Sequence, residues 1–121
     1  MEDRRPLFEK LWESHVISHL NNGNDLLAID RIYLHDLCGT FAFQCLDSSG
    51  HGVANPEHVY ATPDHTLASK PCRTDADSEM SALIMPAFRK GCQKYGIPMY
   101  DVGDPRQGIV HIMGPDCGLS L

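Results

Sequence analysis

Apolar residues recur every three or four positions near the start of the chain. The helix that this spacing predicts, over Pro6–Leu20, carries on one face Phe8, Leu11, Trp12, Val16 and Leu20. Proline is tolerated in a first helical turn, and the sequence Asn22-Gly23-Asn24 is typical of a turn. The pattern therefore predicts an amphipathic helix that ends before Asn22.

A longer periodic segment follows in the second half of the chain. Asp77 or Ser78 is a suitable cap for a helix that runs to about Tyr95, and Gly96 and Pro98 are residues that commonly end a helix. We expect Pro86 to kink or interrupt this helix, because proline removes an internal hydrogen bond. The residues predicted to face the core are Met80, Leu83, Ile84, Ala87 and Phe88.

Short apolar runs between these helices contain β-branched or aromatic residues, which favours buried strands. The predicted strands are Leu26–Asp30 continued by Ile32–Leu34, then Val59–Thr62, then Met99–Val102. The remaining predicted elements are a short helix at Thr40–Leu46, a loop at Asp47–His58 and an apolar segment at Gly108–Met113. Helices that alternate with short strands indicate an α/β layered fold, and 121 residues indicate one domain, residues 1–121.

Composition and charge narrow the class of protein. The chain is 42% hydrophobic and 21% charged, as in ordinary globular proteins. The net charge of −6 argues against a nucleic-acid or anionic-membrane partner. Since no secretory signal or membrane-spanning run is readable, we expect a cytoplasmic location. The five cysteines contain no Cys-x-x-Cys pair, which favours free thiols over disulfides and over common zinc or iron–sulfur spacings.

Imidazole and carboxylate side chains form the candidate chemistry. Asp64-His65 follows a predicted strand, and a carboxylate beside an imidazole can orient it as a general acid. His111 lies in an apolar run, where desolvation would suit a base or a neutral donor. His35-Asp36 repeats the pairing. The alternative interpretations are a solvated loop histidine at His65, a buried hydrogen-bonded histidine at His111 and a strand-end polar pair.

Four ordered segments resemble the isopropylmalate dehydratase large subunits of the aconitase family. They are Leu7–His15, Ile29–Asp36, Ala61–His65 and Gln107–Pro115. The resemblance implies a layered α/β/α arrangement like the N-terminal part of the family's first domain, truncated before the regions that bind its iron–sulfur cluster. The abrupt end at Leu119–Leu121, in what the resemblance makes a core strand, motivates the hypothesis of a fragment, which we place narrowly behind that of a stand-alone enzyme.

The resemblance also implies roles for individual residues. Asp64-His65 matches the pair that protonates a departing hydroxyl, and His111 lies in the same cleft and pairs with a later acidic residue. The position of His35 touches substrate or cluster, and we group Asp36 and Arg31 with it as substrate-binding. The family's Gly-Asp-Ser-His-Thr motif and its cluster-binding cysteines have no match here. We therefore expect no iron–sulfur cofactor and no metal.

Four functional hypotheses remain. The first is a cluster-free lyase, isomerase or cyclase that acts by acid–base chemistry on a small carbonyl-bearing metabolite, with a homodimer as one possible assembly. The second is a fragment or split subunit of the dehydratase, which needs a partner subunit and a [4Fe–4S] cluster. The third is a non-catalytic binding module. The fourth is a mononuclear zinc or iron site built from His35, His65, His111 and nearby carboxylates.

Overall fold

Residues 4–30 contain a helix and a hairpin. The computed structural model describes residues 4–118, and the chain divides into two compact units, Met1–Asp30 and Arg31–Leu121. In the first unit, α1 (Leu7–His15) leads directly into β1 (Val16–His19), which pairs antiparallel with β2 (Asp25–Leu27). The prediction of one domain over residues 1–121 stays a prediction.

The first predicted helix is too long. It ends at His15 because the next residues, Val16 and Ile17, are β-branched and continue as a strand. Gly23 turns the hairpin with a φ of +81°, and the Asn22 side chain accepts a hydrogen bond from the Asn24 backbone. The predicted helix face was therefore wrong beyond His15.

The second unit is built around two parallel strands. β3 (Ile32–His35) and β4 (Val59–Thr62) pair in register, with His35 opposite Thr62. Their connection contains α2 (Asp36–Ser49), as a parallel crossover requires. Short 3-10 turns at Pro56–His58 and Asp75–Asp77 precede β4 and α3 (Glu79–Tyr95), and α4 (Val110–Asp116) follows. The mixed α/β class is as predicted.

The strand predictions were partly wrong. Leu26–Asp30 and Ile32–Leu34 do not form one buried strand, because β2 and β3 belong to separate two-stranded sheets and are only half-buried. Met99 makes a single parallel bridge to Ala61 in place of a full strand. Val59–Thr62 is confirmed. The segment Leu119–Leu121 lies outside the described residues.

The helix predictions differ from the structure mainly at helix ends. α2 begins at Asp36, earlier than the predicted Thr40, because His35 caps it. Ser78 caps α3, and Gly96 ends it in the left-handed conformation, both as predicted. Pro86 does not interrupt α3. Both Pro86 and Ala82, four residues earlier, are exposed, so water can satisfy the carbonyl that proline leaves without a helical donor.

The core lies between α2, α3 and β4. Its buried cluster consists of Phe43, Val59, Ala61, Phe88, Cys92 and Ile97. Of the residues predicted to face the core from α3, Ile84 and Phe88 are buried, but Met80, Leu83 and Ala87 are exposed, Leu83 by 72%. The buried stripe instead contains Ser81, Met85 and Gly91, because Gly91 lets the Phe43 ring of α2 pack against the α3 backbone.

Among residues 4–118, no helix combines the length and the apolar character that crossing a membrane requires.

Candidate functional site

Asp36 anchors the loop that carries the acidic pair. It is fully buried at the first turn of α2, and its Oδ1 accepts hydrogen bonds from the backbone N–H groups of Asp64 and His65, each at 2.9 Å. Its Oδ2 accepts from the Thr66 backbone at 2.8 Å and from the Thr66 hydroxyl. Burial opposes ionisation, but these bonds outweigh it and hold the pKa of Asp36 below its ordinary value.

Asp64 orients the imidazole of His65. Asp64 Oδ1 lies within hydrogen-bond distance of His65 Nδ1, and Asp64 Oδ2 accepts the Val110 N–H at 2.7 Å. Because a carboxylate only accepts, Nδ1 of His65 is the donor, and Nε2 is left for other partners. The Asp64 side chain is 6% exposed and that of His65 is 45% exposed. The Asp64 carboxylate therefore holds the His65 ring in position, and the imidazole faces solvent.

His35 lies flat against His65. The two ring centroids are 3.7 Å apart and the planes differ by 10°. His35 also caps α2, since its Nδ1 accepts the Cys38 N–H at 3.5 Å. Burial, and then the nearby His65, lower the pKa of His35. Burial and the stacked ring therefore favour a neutral His35.

The same cluster bears on the metal hypothesis. One ligand atom from each of His35, Asp36, Asp64 and His65 lies within 4.8 Å of the others. The two imidazole rings are nearly parallel and 3.7 Å apart, so one cation cannot lie in the plane of both rings. Asp36 already accepts hydrogen bonds from three backbone N–H groups. The metal hypothesis stays a prediction.

His111 stands on the first turn of α4, next to the residue that Asp64 anchors. The prediction of a desolvated imidazole was wrong, because His111 is exposed while its neighbour Val110 is buried. It is the smallest of the influences that lower the pKa of His35, after burial and His65. The structure therefore links His111 to the site electrostatically, from an open position.

Arg31 lies at the opposite end of β3 from His35. It precedes β3, and His35 ends that strand, so a rise of about 3.3 Å per residue puts their Cα atoms about 13 Å apart. The predicted contacts of His35, Asp36 and Arg31 with substrate stay predictions. Sequence reasoning did not assign a function to Arg73 and Gln107, which line a cleft beside Asp64. The one signal in the sequence was that Gln107 begins the segment Gln107–Pro115, one of the four that resemble the aconitase family.

The five cysteines are free thiols with different exposures. Cys38, Cys45 and Cys72 are exposed, Cys92 is buried and Cys117 is half-buried. The absence of an iron–sulfur cofactor stays a prediction. Burial raises the pKa of the Cys92 thiol to about 12, which disfavours the thiolate that a metal needs.

These features define a mixed α/β protein with an imidazole–carboxylate site where two parallel strands end. The model of the aconitase family (aconitate hydratase) matches residues 9–121, and the chain belongs to this family. The resemblance of the four segments is thereby confirmed.

Two curated relatives are similar over 97% of this chain. The 3-isopropylmalate dehydratase large subunit of Cytophaga hutchinsonii is 33% identical, and 3-isopropylmalate dehydratase large subunit 1 of Bradyrhizobium diazoefficiens is 41% identical. The matched region covers 25% and 24% of those proteins, so this chain spans about a quarter of their length. No solved structure matches the chain.

Proposed function

We propose that this chain carries the proton-transfer step of a lyase reaction, with His65 as general acid and no iron–sulfur cluster. The observation that supports this most directly is the Val110–Asp64–His65 hydrogen-bond series, which orients the imidazole and leaves Nε2 for the substrate. In the protonated imidazole this nitrogen is the proton donor. Membership of a family that includes dehydratases supports the same reaction class.

The substrate class follows from what acid–base chemistry can do. Without a Lewis acid on the hydroxyl, the proton on the neighbouring carbon must already be acidified by a carbonyl group. A β-hydroxy carbonyl compound meets this requirement. Its elimination, its reverse hydration or a related double-bond migration needs only a positioned acid and a base.

Each proton in the elimination has a proposed carrier. His111 takes the proton from the carbon next to the carbonyl, and those C–H electrons form the new C=C bond. The C–O bond to the hydroxyl breaks with its electron pair, and His65 Nε2 gives its proton to that oxygen, which leaves as water. Asp64 stabilises the protonated His65, and the stacked His35 is a neutral neighbour that also positions the ring.

The test separates the two proton transfers. The chain is incubated in D₂O with 4-hydroxybutan-2-one, and NMR follows both deuterium uptake at the carbon and formation of the enone. We expect His65→Ala to slow elimination by about 10²–10⁴-fold while deuterium uptake remains, and His111→Ala to reduce both. His51→Ala, an exposed histidine after α2, is the matched control. Equal elimination rates in all three variants would remove His65 from its proposed role.

A second candidate is a part of a dehydratase that acts only with further protein. It is supported by large apolar side chains exposed on α3 and α4, with Leu83 at 72% and Ile112 at 58%, and by relatives four times as long. If this candidate is correct, we expect the chain alone to be inactive on 4-hydroxybutan-2-one. Dehydration of 3-isopropylmalate, the compound in the relatives' names, would then appear only after addition of a dehydratase-type partner subunit. Inactivity in both assays would favour the binding-module hypothesis.

A further inference from the structure

His15 is the last residue of α1 and joins that helix to the segment that follows β2. Its ring Nδ1 lies 2.6 Å from the Leu11 carbonyl oxygen, one turn back in α1, and its Nε2 lies 3.2 Å from Asp30 Oδ2. Its own carbonyl oxygen accepts the Ala28 N–H at 2.8 Å. The imidazole is therefore held between α1 and the segment after β2, with one oxygen facing each ring nitrogen.

The two oxygens determine which form of the imidazole fits this place. A carbonyl oxygen and an ionised carboxylate can only accept hydrogen bonds, whereas a neutral imidazole has one N–H donor and one lone pair. In either neutral tautomer one nitrogen would turn its lone pair toward an oxygen, at 2.6 or 3.2 Å. The Ser14 hydroxyl, 3.1 Å from Nδ1, does not change this, because it donates to the Leu11 carbonyl at 2.8 Å. Only the imidazolium donates to both Leu11 and Asp30.

The surroundings of the ring favour the same charge. The hydrogen bond to the Leu11 carbonyl, and then the one to Asp30, raise the pKa of His15 above its ordinary value of 6.5, against a smaller opposing effect of burial. The negative charge of Asp30 adds to this increase, and the α1 groups that face the ring, the Leu11 carbonyl and the Ser14 hydroxyl, are uncharged. The side chains of His15 and Asp30 are 23% and 47% exposed, so water and salt weaken the pair.

A second histidine–aspartate pair in the same unit provides a contrast. His19 Nδ1 lies 2.6 Å from Asp25 Oδ1, and Asp25 Oδ2 accepts the Trp12 indole N–H at 2.7 Å. A neutral His19 with its proton on Nδ1 satisfies the Asp25 oxygen, so this contact does not require an imidazolium. The Trp12–Asp25 bond ties α1 to β2 without a histidine proton. Any release at His15 is therefore confined to the last turn of α1.

We propose that His15 and Asp30 form a pH-dependent latch, which holds the last turn of α1 on the segment after β2 while His15 carries two protons. When one proton leaves, the hydrogen bond to Asp30 is lost, and the neighbouring bond from Ala28 to the His15 carbonyl opens more often. Because the folded pKa of His15 is raised, the stabilisation is complete below the unfolded value of about 6.5. It is lost as the pH rises through the folded value.

Two NMR measurements on the full chain test the latch without any substrate. The imidazole C–H signals, assigned with His15→Gln, give the titration midpoint of His15, and hydrogen exchange gives the protection of the Ala28 amide. We expect the midpoint to lie above the ordinary value of about 6.5. Ala28 protection, corrected for the intrinsic effect of pH on exchange, should fall by about two- to fivefold across that midpoint, as suits an exposed ion pair. Asp30→Asn should lower the midpoint and reduce the change in protection.

Matched variants separate the latch from other titrations. His15→Gln is neutral at every pH and should give an Ala28 protection that does not change across the midpoint. His19→Gln removes the other aspartate-paired histidine of the unit and should leave both His15 readouts unchanged. The emission of Trp12, the one tryptophan of the chain, checks that α1 stays on β2 in each variant. The proposal is overturned by a His15 midpoint at or below the ordinary value, by a pH response of Ala28 that persists in His15→Gln, or by equal effects of His15→Gln and His19→Gln.

Discussion

Replacement of Asp36 by asparagine tests whether one buried carboxylate organises the site. Its two oxygens accept four hydrogen bonds, from three successive backbone N–H groups and the Thr66 hydroxyl. The asparagine amide keeps one oxygen for two of these donors and turns an NH₂ group toward the other two. Two hydrogen bonds to a charged group are lost, and one pair of donors is left facing another donor.

The magnitude follows from those two bonds. Each is worth about 1.5–3 kcal/mol when the acceptor is charged, which gives about 3–6 kcal/mol in all. The neutral amide is easier to bury than the carboxylate, so we expect the lower half of that range, a loss of about 3–4 kcal/mol in the free energy of unfolding.

The assay is urea unfolding followed by circular dichroism, together with hydrogen exchange at the amides of Asp64, His65 and Thr66. Asp116→Asn is the control, because Asp116 is exposed, and it should change stability by less than about 0.5 kcal/mol. If Asp36→Asn lost less than about 1 kcal/mol and those amides stayed protected, the anchoring role would be refuted.

Acid titration adds an independent signature. Since the folded pKa of Asp36 is lowered, the unfolded state binds more protons in the window between the folded and unfolded values. Its contribution to stability is complete above the unfolded pKa of about 3.9 and is lost as the pH falls through the folded value. Asp36→Asn should lack this part of the acid dependence.

Two further predictions concern the core. Gly91→Ala places a Cβ 2.0 Å from Phe43 Cδ2, so we expect the free energy of unfolding, measured in urea, to fall by about 1–3 kcal/mol or more. The control Gly52→Ala meets no heavy atom within 4 Å and should leave stability nearly unchanged. Equal losses at both glycines would contradict the close packing of α2 on α3. Because burial raises the pKa of Cys92 to about 12, iodoacetamide at mildly alkaline pH should label exposed Cys45 long before Cys92, as read by peptide mass spectrometry. Equal labelling rates in the folded chain would contradict that assignment.

Local patterns allowed prediction of the elements whose signals lie within a few residues. The Ser78 cap, the Gly96 end of α3 and the strand Val59–Thr62 are all of this kind. The core face of α3 was misjudged because apolar Leu83 and Met80 compete with a stripe that contains Ser81 and Gly91. Only the approach of Phe43 from another helix decides which stripe is buried, and hydropathy does not encode that contact.

In the candidate site, too, the sequence indicates the local features and only the fold creates the long-range contacts. Asp64-His65 and His35-Asp36 could be recognised as chemical pairs in the sequence. The bonds from Asp36 to the backbone of Asp64 and His65 join residues 28 and 29 positions apart, and no local pattern indicates them. Likewise, Arg73 and Gln107 meet across 34 positions, so the cleft became visible only in the folded chain.

The two imidazole–carboxylate pairs have the same composition but opposite arrangements. β3 and β4 are parallel, and His35 lies opposite Thr62, so the residues after both strands meet at one edge of the sheet. In the pair His35-Asp36, the Asp36 carboxylate is buried and accepts a hydrogen bond from the backbone of the pair Asp64-His65. In the second pair the carboxylate of Asp64 is nearly buried while His65 is exposed. Burial, and then the stacked His65, lower the pKa of His35, so a positive charge on the His35 ring is disfavoured beside the solvent-exposed imidazole of His65.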